Sequence, residues 1–229
     1  MDKDFALNMA AQAGIDAQQV VREEAELIFL QGLFESAISD GLVFKGGTAL
    51  RLIYASPRFS EDLDFSETRK ITAPEFKKII TRIVKSDTRF SIKGLASKYY
   101  THLAQIRIKE PWQEIAFSMK IEIAKVSPKR LDLSYTNSLA KSSLSNISVM
   151  VRAFTLEKIL EDKFRCVEER KMPRDIFDIW FICQKTGKPF TLRNFGYPKG
   201  KIRQELRKFL PRAFYPAIED LEKLNVKGL

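Results

Sequence analysis

Apolar residues return along this chain in two rhythms, one helical and one alternating, and the changes between them outline its elements. After Asp16, which reads as an N-cap, Val20, Val21, Leu27, Leu30, Phe34 and Ile38 recur on one face and predict a helix to about Ser39, stopped by Gly41. Leu42 to Lys45 reads as a short strand entering a glycine turn, Thr48 to Ala55 as the helix leaving it, and Pro57 closes that unit. Thr72-Ala73-Pro74-Glu75 is a capping box ahead of Phe76, Ile79, Ile80, Ile83 and Val84 at helical spacing. Two strand-like runs follow, 99–109 and 115–126, joined by Glu110-Pro111-Trp112-Gln113. In the second, Phe117, Met119, Ile121 and Ile123 alternate with Ser118, Lys120 and Glu122, which turns Glu122 away from the apolar layer.

Residues 127–148 are rich in Ser, Asn and Lys, contain Pro128, and show no sustained apolar period, so they read as a connection. Val149 to Phe154 is a short strand, and Thr155 caps a helical region that runs on to the C-terminus. The expected architecture is α+β: a core over residues 1–128 with a mixed sheet flanked by helices, a connection over 129–148, and a mainly helical lobe over 149–229.

Composition narrows the class. With 229 residues, 45% of them hydrophobic, the chain can bury a core without disulfides. With two cysteines, Cys166 and Cys183, 17 residues apart and a single histidine, His102, neither a zinc cluster nor a Ser-His-Asp triad is expected. No long apolar run or charged-then-apolar leader appears, so a cytoplasmic protein without a membrane partner is expected. The formal net charge of +10 favours an anionic partner, with nucleic acid the leading candidate. Between residues 185 and 212 nine Lys or Arg (Lys185, Lys188, Arg193, Lys199, Lys201, Arg203, Arg207, Lys208 and Arg212) face one acid, Glu205. Phe195, Tyr197 and Phe209 lie among them, either as core residues under a solvated basic surface or as platforms for unpaired bases.

Candidate chemistry concentrates in Phe44-Lys45-Gly46-Gly47-Thr48-Ala49-Leu50 and Arg58-Phe59-Ser60-Glu61-Asp62-Leu63-Asp64-Phe65. In a strand, Asp62 and Asp64 project from one face roughly 6.6 Å apart, close enough to share divalent cations. A side-chain-free turn lets backbone N–H groups approach a triphosphate, and a helix start favours anions. Later in the chain, helical phasing places Lys163 and Arg170 inside the apolar stripe of Ile159, Leu160, Phe164 and Val167. A lysine there either snorkels or meets an anion, because burying an unpaired ammonium costs several kcal/mol. Asp175 and Asp178 share a face of the next helix with Ile179 and Ile182, and Arg170, Arg174 and Lys163 are their available partners. An Arg-Asp lock between the two helices and a direct role at a site both fit.

The glycine turn with the Asp-x-Asp strand, together with Glu161-Asp162-Lys163 through Arg174-Asp175-Ile176-Phe177-Asp178, resembles the AbiEii/AbiGii nucleotidyltransferase toxins of the DNA polymerase β-like superfamily. Thr48 stands where many relatives carry a serine. The resemblance implies a polymerase β-like core in which Asp62, Asp64 and a third carboxylate, assigned to Glu122, hold two Mg²⁺ ions. Lys45, Gly46, Gly47, Thr48, Arg58, Ser60 and Lys163 would bind a nucleoside triphosphate; Lys163 and Asp175 would complete the catalytic set, with Arg170, Arg174 and Asp178 supporting. It also implies a toxin restrained by a cognate antitoxin and acting on RNA, often tRNA, with Lys199, Lys201, Arg203, Arg207 and Lys208 available for that RNA. Transfer of a nucleotide to a protein or small molecule, and a non-catalytic nucleic-acid-binding protein on the same scaffold, are the alternatives.

Overall fold

Alternating burial in two neighbouring strands sets the frame of the molecule. In the computed structural model, which describes residues 1–125, 134–193 and 195–225, Phe117, Met119, Ile121 and Ile123 are buried along strand β5 (Phe117–Ala124) while the residues between them are half-exposed. The side chains between them therefore stand on a wettable face, which is where chemistry can be placed. Beside β5 runs β2 (Asp62–Glu67), parallel, with Asp62 opposite Lys120 and Asp64 opposite Glu122. Beyond it is β1 (Leu42–Lys45), antiparallel, with Lys45 opposite Asp64.

The seven-stranded mixed sheet is completed by β3 (Phe90–Ser97), β4 (Thr101–Ile108), β6 (Tyr135–Lys141) and β7 (Ser148–Phe154), in the order β3-β4-β5-β2-β1-β7-β6. Strand β7 is parallel to β1, and β6 is its antiparallel outer neighbour. The segment expected as a connection therefore contributes a strand to the sheet. Its apolar period is faint because β6 lies at an edge, with only Ala140 buried. The expected boundary at residue 128 lies outside the described residues.

Helices α1 (Lys3–Ala13) and α2 (Ala17–Phe34) open the chain, the second capped by Asp16, whose carboxylate accepts from the Gln18 N–H. The glycine turn leads into α3 (Gly46–Leu52), and α4 (Ala73–Lys85) carries the expected Thr72–Glu75 capping box. Helix α5 (Leu156–Arg170) starts at Thr155 and ends at Lys171 with φ of 46°, and Pro173 opens α6 (Pro173–Thr186). Two helices, α7 (Lys201–Leu206) and α8 (Tyr215–Asn225), close against Ile176 and Phe177 of α6 through Ile202, Leu206, Ile218 and Leu221, with Leu210 from the segment between them, a second core beside the main one. Among the described residues no helix is long and apolar enough to cross a membrane.

Candidate active site

Gly46 and Gly47 are dictated by what lies behind them. Gly46 has φ of 82°, and a Cβ there would stand 2.5 Å from Asp64 Oδ2; a Cβ on Gly47 would strike the Arg58 guanidinium and come within 2.8 Å of Ser60 Oγ. The turn is thus pressed onto the Asp-x-Asp strand and its preceding loop. Thr48 is buried and its hydroxyl donates to the Asp62 carbonyl at 2.6 Å, tying α3 to the start of β2.

Where the turn, β2, β5 and α5 meet is a cavity of about 370 Å³ lined by Lys45, Gly46, Asp64, Lys120, Glu122, Lys163 and Arg170, with Asp162, Cys166 and Glu169 on the α5 side. Asp62 joins this group through Lys120, whose Nζ is 3.1 Å from Glu122 and 3.6 Å from Asp62. Burial and the neighbouring Asp62 charge push the Asp64 carboxyl above the usual carboxylate range, against the pull of Lys120, Lys45 and Lys163. Lys120 is raised as well: burial would lower its pKa, and Asp62 and Glu122 more than reverse that.

A second layer stands behind the cavity. The buried Asp178 carboxylate receives Arg58 Nε and Nη2 at 2.7 and 2.8 Å and Lys163 Nζ at 2.6 Å. The buried Asp175 carboxylate receives Lys163 at 2.9 Å and a two-pronged contact from Arg170 at 2.8 Å. Three cations thus meet two carboxylates, so this cluster behind the cavity carries one positive charge in excess. Burial disfavours the charged form of each member, yet the partners win: Lys163 is raised, Asp178 is lowered, and Asp175 is held down to about 2.

The structure therefore brings Lys45, Gly46, Asp64, Glu122, Lys163 and Arg170 to one cavity and sets Arg58, Thr48, Asp175 and Asp178 outside its lining. Arg58, expected against the nucleotide, is committed to Asp178 and to the Phe59 carbonyl at 2.8 Å. Ser60 sits beside Gly47, and Arg174 lies 3.8 Å from Glu61. Lys199, Lys201, Arg203, Arg207 and Lys208 are exposed, Phe209 is buried, and Phe195 and Tyr197 are half-buried against the second core. Lys120 was legible only as a polar position in an alternating strand, although its spacing of two from Glu122 put both on one face. Asp162, Cys166, Glu169 and Arg170 follow a helical i, i+4, i+7, i+8 pattern that could have flagged the cavity side of α5.

The donors suit a hard divalent cation. They are carboxylate oxygens, and Mg²⁺ keeps several waters and needs only one or two protein carboxylates alongside substrate phosphates. Asp62 and Asp64, two residues apart on β2, meet that need. Among the described residues no three His, Cys, Asp or Glu side chains form a ready-made cage, and Lys120 bridges Asp62 and Glu122 instead.

The comparisons agree with this geometry. No curated protein matches the chain. MenT4, a nucleotidyltransferase toxin from Mycobacterium tuberculosis H37Rv, aligns with a TM-score of 0.60 over 99% of this chain and 89% of its own, at 16% identity. JHP933 from Helicobacter pylori aligns with a TM-score of 0.54 over 74% of this chain and 68% of its own, at 21% identity. Those likenesses are of fold. The family described as "Nucleotidyl transferase AbiEii toxin, Type IV TA system" matches residues 28–220, which span the glycine turn, the sheet, the cavity and both cores. The chain belongs to the AbiEii family of nucleotidyltransferase toxins of type IV toxin-antitoxin systems.

Proposed function

We propose that this toxin transfers a nucleoside monophosphate from a nucleoside triphosphate to the hydroxyl at the 3′ end of an RNA, with tRNA the expected acceptor and a separate antitoxin restraining it in the cytoplasm. The observation that carries the reading is the convergence of Asp64, Glu122, Lys45, Lys120, Lys163 and Arg170 on one cavity, an arrangement suited to a metal-bound polyphosphate. Asp62 and Asp64 would hold Mg²⁺, which supplies Lewis-acid polarisation of the phosphoryl oxygens when bound. Lys45 and the glycine turn receive the triphosphate, and Lys163 and Arg170, which line the cavity, offset charge on the departing pyrophosphate. Glu122 accepts the proton of the acceptor hydroxyl as its oxygen forms the new bond to the α-phosphorus and the bond to pyrophosphate breaks. Arg58, Thr48, Asp175 and Asp178 position rather than touch, holding the turn and Lys163 in place.

The test incubates the protein and its Asp64→Ala variant with total tRNA, Mg²⁺ and each α-labelled nucleoside triphosphate in turn. Label on RNA from the wild type, reduced at least about a hundredfold in the variant, is the expected result. Label on protein bands alone moves the acceptor to a protein hydroxyl, and no label with antitoxin absent overturns the reading.

A further inference from the structure

Two large aromatic side chains stand in solvent at the tip of the β3–β4 hairpin: Tyr99 is 84% exposed and Tyr100 74% exposed, with their rings edge-on at 4.5 Å between centroids. Neither core packing nor turn chemistry asks for them. A tight hairpin turn selects Gly, Asn or Asp for conformations with positive φ, and neither tyrosine is in that region. Exposed aromatic faces of this size are the currency of recognition surfaces.

The hairpin tip is held rigidly and close to the cavity. The Lys125 backbone N–H donates to the Tyr100 carbonyl at 2.9 Å, and its ammonium donates to Ser97 Oγ at 3.1 Å and to the Lys98 carbonyl at 2.6 Å. The Lys98 N–H closes the turn on the Thr101 carbonyl at 2.7 Å. Lys125 directly follows β5, on which Glu122 and Ala124 line the cavity, so the tip lies about 10 Å along the strand from Glu122 at roughly 3.3 Å per residue. That distance is about three stacked nucleotides at roughly 3.4 Å each. Two lysines, Lys98 and Lys125, belong to the tip itself.

We infer that Tyr99 and Tyr100 form a stacking platform for the unpaired end of the RNA acceptor, setting its terminal nucleotides on a path into the cavity. The inference rests on the RNA-acceptor reading above. Single-stranded RNA fits better than a protein partner because stacking needs only the exposed ring faces, Lys98 and Lys125 suit phosphates, and the tip adjoins the strand that leads into the cavity an acceptor end must enter.

The test measures binding of a fluorescent single-stranded RNA of about 12 nucleotides, and of the same RNA annealed to its complement, to wild type, Y99A/Y100A and Y99F/Y100F. Both variants alter solvent-exposed side chains, and matched thermal melts confirm that each is folded. The platform predicts that Y99A/Y100A weakens single-strand binding by about 5- to 150-fold per base lost from the stack, that Y99F/Y100F binds as the wild type, and that duplex binding is unchanged in both. Equal single-strand affinity for Y99A/Y100A and wild type overturns it, as does loss of self-association in that variant with RNA binding intact, which would make the tip a protein contact. Nucleotide labelling of RNA run in parallel separates the two readings. Wild-type labelling with an unchanged KM for RNA in Y99A/Y100A removes the platform alone, while a binding contrast without labelling removes the RNA-transfer reading alone.

Discussion

Single residues here carry constraints that no propensity scale describes. Gly46 is required less for flexibility than because Asp64 occupies the space a Cβ would need. Gly46→Ala should displace Asp64 or the turn and lower nucleotide transfer about a hundredfold, with a stability loss of about 1–3 kcal/mol, read by labelling assays and urea unfolding. Glu26, buried on α2 with Oε1 lacking a partner among the described residues, is the opposite case, a polar group the fold tolerates. Burial, and then the charge of Glu23, raises its carboxyl well above the ordinary 4.5. The folded state therefore keeps a proton that the unfolded chain has released, and stability falls as pH rises from that ordinary value through the raised one. Glu26→Gln keeps the shape without the charge. Denaturant midpoints should show it more stable than wild type at neutral pH, with the difference shrinking as pH falls through the raised value toward the ordinary 4.5.

At the scale of elements, the lock between the Arg58 loop, α5 and α6 is the strongest structural statement. Lys163 reads from helical phasing as an ammonium that needs an anion, and α6 supplies two. Asp178→Ala strips both Arg58 and Lys163 of a buried partner and should cost about 3–5 kcal/mol in urea unfolding, with Lys163→Met in that background restoring part of it. Asp175 works through a folded pKa of about 2, so its contribution is present above the ordinary 3.8 and is lost as acid brings the pH down toward 2. Elements with a strong period were legible in advance: α4 with its capping box, the alternating β5, and α5 and α6 with their Thr155 and Pro173 starts. Strand β3 and edge strand β6 were not, since Ser91, Lys93 and Gly94 in one, and Thr136, Asn137 and Ser138 in the other, leave no buried row to count. Helix α1 likewise buries only Ala6 and Ala10 and shows little pattern.

Over the whole molecule the net charge of +10 becomes a statement about association. Each phosphate neutralised on a single strand contributes about −0.7 to the slope of log affinity against log salt. RNA binding should therefore weaken steeply with salt, and the triple variant K199A/K201A/K208A, all exposed lysines, should reduce that slope by about 2 if the basic C-terminal surface meets the backbone. Arg203 and Arg207 are poorer probes, since one lies 3.4 Å from Glu222 and the other stacks 5.0 Å over Tyr215.

What the sequence determined by itself was local and periodic: the glycine turn, the Asp-x-Asp spacing, the outward face of Glu122, and a lysine stranded in an apolar stripe, all set by two repeat lengths and a few side-chain chemistries. Tertiary structure decided everything that depends on which strands become neighbours. The register that sets Asp64 between Lys45 and Glu122, the pairing of Arg58 with Asp178 across 120 positions, and the placing of Lys120 between two carboxylates are long-range results of packing. No spacing within a single element encodes them, because the free energy that selects them comes from burying the sheet and the two helix cores together.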